Sequence, residues 1–166
     1  ITVATGTGGS LKLTPGTAAD GINLQAGAPA AVTISAPLAL GADQTWTVAD
    51  AATTLTVSGA LTGAYGLTKA GSGVVVLSSA VSAYTGATTV TGGTLSLTGG
   101  LSGGTAISVG GNSVFTQGSA SVISGTSSFT QNSTGTSTLA GANTYTGATT
   151  INAGTLQITS GGQLGS

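Results

Sequence analysis

Short apolar pairs recur along this chain at a nearly constant distance. Leu55/Val57, Val75/Leu77 and Leu95/Leu97 follow one another at steps of 20 residues, and Phe115 continues the series. Backwards, Ile34 precedes Leu55 by 21 residues and Leu13 precedes Ile34 by 21. A second register runs through Leu24, Trp46, Leu67, Val90, Val109, Phe129 and Ile151 at intervals of 19 to 23. Within each unit the residues alternate, as in Leu11-Lys12-Leu13, Ile22-Asn23-Leu24, Trp46-Thr47-Val48 and Leu156-Gln157-Ile158. That two-residue period puts apolar side chains on one face of a strand and polar ones on the other. No segment has the 3.6-residue period of a helix.

Strands of this length cannot bury their apolar face alone. A period near 20, made of short strands with Gly at the joints, predicts an all-β chain folded as a parallel β-helix (β-solenoid) with about 20 residues per coil. Stacked coils lie roughly 4.8 Å apart, so about eight of them form a rod on the order of 40 Å long. Residues 1–166 then form one solenoid segment whose aliphatic side chains pile into continuous columns. The start at Ile1 and the end in GGQLGS predict excision from a longer protein.

Charge is almost absent. Lys12, Asp20, Asp43, Asp50 and Lys69 are the only ionisable residues other than tyrosines, and there is no Cys, His, Met, Arg or Glu. A net charge of −1 creates no field to hold a polyanion, so nucleic acid is not an expected partner. Disordered chains combine low hydrophobicity with high net charge, whereas this one is 39% hydrophobic and nearly neutral. The longest purely aliphatic run is Val74 to Leu77, far short of a membrane span. With no Cys there is no disulfide framework, which is compatible with any compartment.

One phrase is written twice. YTGATTVTGGTLSL at 84–97 and YTGATTINAGTLQI at 145–158 agree at nine of fourteen positions, 61 residues apart, which is three coil steps. Val90, Ile151, Leu95/Leu97 and Leu156/Ile158 are expected to point inward. Thr88, Thr89, Thr94, Thr149, Thr150 and Thr155 are expected to be β-branched residues suited to a pleated surface. Gly86, Gly93, Gly147 and Gly154 are expected at corners that need positive φ. Tyr84 and Tyr145 are expected to lie over corners with their hydroxyls in water.

The run LTKAGSGVVVLSSAVSAYTGATTVTGGTLSL (67–97) and the second copy STLAGANTYTGATTINAGTLQI (137–158) resemble the passenger-associated transport repeat, also called the autotransporter-associated β-strand repeat. LALGADQTWTVADAATTLTVSGALTGAYG (38–66) is similar to the segment that often leads into it. The sequence departs from the family pattern at Val75 and at Ser79-Ala80-Val81 in the first copy, and Phe129-Thr130-Gln131 stands where the first copy has Leu67-Thr68-Lys69. The resemblance implies a right-handed parallel β-helix in a bacterial secreted or cell-surface protein, typically an autotransporter passenger, and it brings no catalytic residues with it.

The residues themselves offer no catalytic, cofactor or metal site. Glycoside hydrolysis needs two carboxyl groups facing a substrate, and Asp43 and Asp50 flank the Trp46 strand at opposite ends as turn residues making local hydrogen bonds. Without His or Cys a transition-metal site has no ligands, and the calcium nonapeptide is missing. Lys69 is expected as a solvated corner charge, GLSGGT at 100–105 lacks the Lys of a phosphate loop, and the sequon at Asn132 points to nothing in a bacterial protein. Thr-x-Thr pairs at 45/47, 54/56 and 89/91 raise ice binding as a minor alternative, but Val74/Val76 interrupt the ladder.

The expected function is therefore a non-catalytic structural and adhesive module, a stalk outside a bacterial cell. Its partners would be neighbouring repeats, and surface glycans or host and abiotic surfaces met through Thr, Asn and Tyr groups in weak multivalent contacts. The alternative is a self-assembling fibre subunit stacking end to end, since neither terminus shows a capping sequence.

Overall fold

The structure is a computed structural model that describes residues 11–13, 19–159 and 161–165, together with the backbone of Thr2–Val3. All its regular elements are strands, and every pairing between them is parallel. The chain is a β-solenoid of about seven turns. Its first face is an eight-stranded sheet running from Thr2–Val3 through Ala31–Ile34, Thr54–Val57, Val74–Leu77, Thr94–Leu97, Val114–Gln117 and Thr136–Leu139 to Thr155–Ile158. The second is a seven-stranded sheet from Asp20–Leu24 through Gln44–Val48, Leu67–Ala70, Thr88–Val90, Ala106–Val109 and Ser128–Gln131 to Thr149–Ile151. Each coil thus visits the second face and then the first.

A third face was not legible as a separate sheet. Leu11–Leu13, Leu38–Leu40 and Leu61–Thr62 form a three-stranded sheet, and the bridges Ser82↔Leu101 and Leu101↔Ile123 carry it onward. Leu13 therefore pairs with Leu40 and does not belong to the column of Ile34. Ile34 itself aligns with Val57, while Val32 aligns with Leu55.

The 20-residue steps hold where the pattern was strongest. Leu55, Val75, Leu95 and Phe115 are in register, and so are Val57, Leu77 and Leu97. All seven are buried. On the second face Leu24 stands beside Val48, outside the column of Trp46, and from Trp46 on the register expected from sequence jumps between two real columns. One is Ile22, Trp46, Lys69, Val90, Val109, Gln131 and Ile151; the other is Gln44, Leu67, Thr88, Ile107, Phe129 and Thr149. Both columns face inward, so residues two apart have the same side and hydropathy alone cannot choose between them. Polar members in each column, among them Lys69, Gln131, Gln44 and Thr88, interrupt the apolar series.

Ile151 and Ile158 keep the inward register, opposite Gln131 and Leu139, but are 55% and 40% exposed. Leu156, opposite Ser137, is half-buried. They lie on the last coil, where no further described coil covers them.

The repeated phrase is a device for close stacking. Gly93 and Gly154 take positive φ of 59° and 62°, as expected. Gly86 and Gly147 do not; they are glycines because a Cβ would stand 2.0 Å from the Tyr65 carbonyl carbon and 2.4 Å from Ser127 O in the adjacent coil.

Candidate functional surface

The polar residues of this chain fall into three groups: those turned inward to satisfy the backbone, those that tie adjacent coils, and those left open on the flanks. The inward group includes residues expected outside. Tyr84 and Tyr145 are 0% and 1% exposed, and their hydroxyls meet Thr88 Oγ1 and Thr149 Oγ1, each at 2.6 Å, not water. Thr88 is buried too, with Thr105 Oγ1 at 3.0 Å. Proton counting orients this chain. Thr105 Oγ1 donates to Gly86 O at 2.6 Å, so it must accept from Thr88, which leaves Tyr84 as the donor to Thr88. Burial pushes the Tyr84 phenol up to about 12, partly offset by its hydrogen bond with Thr88.

Thr88→Val keeps the shape of the side chain but leaves the buried Tyr84 hydroxyl without an acceptor. A loss of about 1–3 kcal/mol is expected, read as a lower denaturant midpoint. Thr89→Val, one residue on and facing outward, should be within about 0.5 kcal/mol of the parent.

Lys69 is also inside, 1% exposed, and is not the solvated charge expected from its position beside a corner. Its Nζ donates to Ala70 O at 2.9 Å, Gly71 O at 2.8 Å and Gly92 O at 3.0 Å. Desolvation lowers its pKa from 10.5 to about 8. Three coils of the second face further on, Gln131 has the same inward place and the same work: its Nε2 donates to Ser133 O at 3.3 Å and Gly135 O at 3.1 Å. The parity of Leu67 and Lys69 held the signal, since a residue two positions from an inward Leu on a strand also points inward.

The tying group includes two of the carboxylates. Asp43 Oδ1 accepts the Gly66 N–H at 2.6 Å and Asp50 Oδ2 accepts the Gly27 N–H at 2.7 Å. Both bonds reach across to another coil and so are not the local turn bonds expected. The two carboxylates sit at opposite ends of Gln44–Val48, and Asp20 lies on the preceding strand of the second face. Among the described residues no group of three or more His, Cys, Asp or Glu could hold a metal ion. Buried amides tie coils as well: Gln117 Nε2 donates to Asn143 Oδ1 at 2.6 Å while Asn143 Nδ2 donates to Gln117 Oε1 at 3.0 Å.

Residues 67–97 and 129–158 match the model of the passenger-associated-transport-repeat family. Two stretches of the chain are similar to that repeat. No curated protein and no solved structure matches it. The second repeat begins at Phe129, earlier than the resemblance at 137–158, because Phe129-Thr130-Gln131 is the structural equivalent of Leu67-Thr68-Lys69. In both repeats the third residue of that strand caps the carbonyls of the next corner. The repeats and the solenoid together fit an autotransporter-passenger-like β-helix module, and such repeats belong to secreted or cell-surface passengers.

The open group faces outward from both long sheets. On the first face Thr54/Thr56 stand directly beside Val74/Val76, so a two-wide threonine ladder is interrupted there. The second face carries an unbroken single rank of Thr45, Thr68, Thr89, Ser108, Thr130 and Thr150. Beside it, a hollow of about 330 Å³ is lined by Asp43, Gln44, Gly66, Leu67, Thr68, Ala87 and Thr89. A second hollow of about 300 Å³, between Ser78 and Val122, has small uncharged walls.

Proposed function

We propose that this chain is a non-catalytic stalk of a bacterial secreted or cell-surface protein, and that its flanks contribute weak adhesive contacts. The observation that carries the reading is the unbroken parallel pairing of the second face from Lys69 through Val90, Val109 and Gln131 to Ile151, which joins the two repeat stretches in one rod. In such a rod every coil is hydrogen-bonded to its neighbours, so pulling along the axis loads many bonds in turn. Three of its five charged side chains hold the coils together: Lys69 donates to carbonyls, and Asp43 and Asp50 accept from amides.

The test is surface display. Fused between a secretion signal and an outer-membrane barrel, the chain should reach the cell exterior, resist added protease as a folded block and increase retention on glycan-coated beads under flow. Retention inside the cell would overturn the stalk, and unchanged bead retention would remove the adhesive part alone.

A second reading, end-to-end assembly into a fibre, is favoured by the last coil, where Ile151, Ile158 and Leu164 are exposed beside strand edges that no described strand pairs. Sedimentation showing mass rising with concentration, and reverting to monomer in Ile151→Asp, would support it; monomer throughout would eliminate it.

A further inference from the structure

The hollow beside the threonine rank has the composition of a ligand site. It spans the beginnings of second-face strands in three successive coils: Asp43 and Gln44, then Gly66 to Thr68, then Ala87 and Thr89. We propose that it binds a neutral, linear polysaccharide lying along the rod axis, with the hydroxyl rank as its continuation. The inference rests on the adhesive reading above and names the ligand class and the place.

Several features converge there. Asp43 uses Oδ1 on the Gly66 amide, leaving its second oxygen as an acceptor for a sugar hydroxyl. Gln44 lines the hollow with its side chain turned inward, where Oε1 accepts from Trp46 Nε1 at 2.9 Å and Nε2 donates to Leu13 O and Ala42 O at 3.5 Å each. Among the described residues nothing is bonded to the hydroxyls of Thr68 or Thr89. Tyr65, adjacent in sequence to the lining residue Gly66, is 44% exposed and is the one tyrosine not buried.

Geometry and charge narrow the ligand. The groove runs across the strands, and neighbouring rungs repeat at about 4.8 Å, of the order of the length of one pyranose unit. A chain of sugars can thus repeat its contacts from coil to coil. A peptide would need free strand edges, but the backbone at these rungs is consumed by pairing with adjacent coils. An acidic polymer would meet the Asp43 carboxylate with no Lys or Arg in the lining to offset it.

The test is a two-dimensional NMR titration of the chain with cellohexaose, with glucose and an oligogalacturonate as comparison probes. Expected are shifts at the amides of Gly66, Thr68 and Thr89, a Kd of about 1 mM for the hexasaccharide, and much weaker response to the other two. The double variant Thr68→Val/Thr89→Val should lose at least about tenfold in affinity with its melting temperature kept. Thr116→Val/Thr138→Val, on the first face, should bind like the parent. No shift with the hexasaccharide, equal binding by the Thr68/Thr89 variant, or preference for the acidic probe would each overturn the assignment. If bead retention of displayed cells survives in that variant, the groove assignment falls while the adhesive reading stands.

Discussion

Leu77→Asp should abolish cooperative thermal unfolding altogether. Leu77 is 3% exposed and is stacked between Val57 and Leu97 in adjacent coils. Removing its aliphatic atoms alone costs about 2–5 kcal/mol, as in Leu→Ala changes. A carboxylate in their place has no cation within the column, and an unpaired buried charge adds several kcal/mol more. Together these reach the whole stability of an ordinary domain, about 5–15 kcal/mol. The neighbouring control is Val76→Asp. Val76 faces outward between Thr56 and Ser96, so its charge is solvated and the expected change is about 1 kcal/mol or less. Circular dichroism melts of the two variants check this. Identical melting would refute the inward column, because the two sites differ only in which side of the strand they occupy.

How far the sequence revealed this arrangement follows from what kind of side chain marked each position. The first face was legible because its inward residues from Leu55 to Phe115 are all apolar and separated by equal steps. The second face was legible as a sheet but not in register, since Lys69, Thr88 and Gln131 occupy inward places and look like surface residues. Sequence hydropathy treats a hydroxyl or an amide as a sign of water. In a solenoid the corners present rows of carbonyls toward the interior, and those carbonyls require donors. Thr105, Ser113, Ser133 and Gln131 supply them. The third face escaped notice because after Leu61–Thr62 it shrinks to single bridges, too short to have a period. Of the proposed groove, Asp43 was visible only as a turn residue; its juxtaposition with Thr68 and Thr89 exists only once three coils are stacked.

The buried ammonium yields the second large effect, a stability that increases in mild alkali. In the unfolded chain Lys69 titrates at 10.5; in the rod, desolvation lowers this to about 8. Between those values the unfolded state holds a proton that the folded state has released, so unfolding takes up protons and stability rises with pH. The gain is present in full above 10.5 and is lost as pH falls through about 8, amounting to about 3 kcal/mol. Tyr84 has the opposite sign. Its folded value is raised from 10.0 to about 12, so its contribution is intact below 10 and disappears as pH climbs toward 12. With two Lys, three Asp, three Tyr and no His in the sequence, few other protons compete in this range. The melting temperature should therefore climb from pH 7, peak near pH 10 and decline beyond it. Lys69→Gln copies the side chain that Gln131 places at the equivalent corner, with a neutral donor for Gly71 O, and should flatten the climb while leaving the decline. Lys69→Met also removes the charge but strands the carbonyls of Ala70, Gly71 and Gly92, and should melt below Lys69→Gln at pH 7. A climb that persists in both variants would mean that another group carries the linkage and that the Lys69 ammonium is solvated.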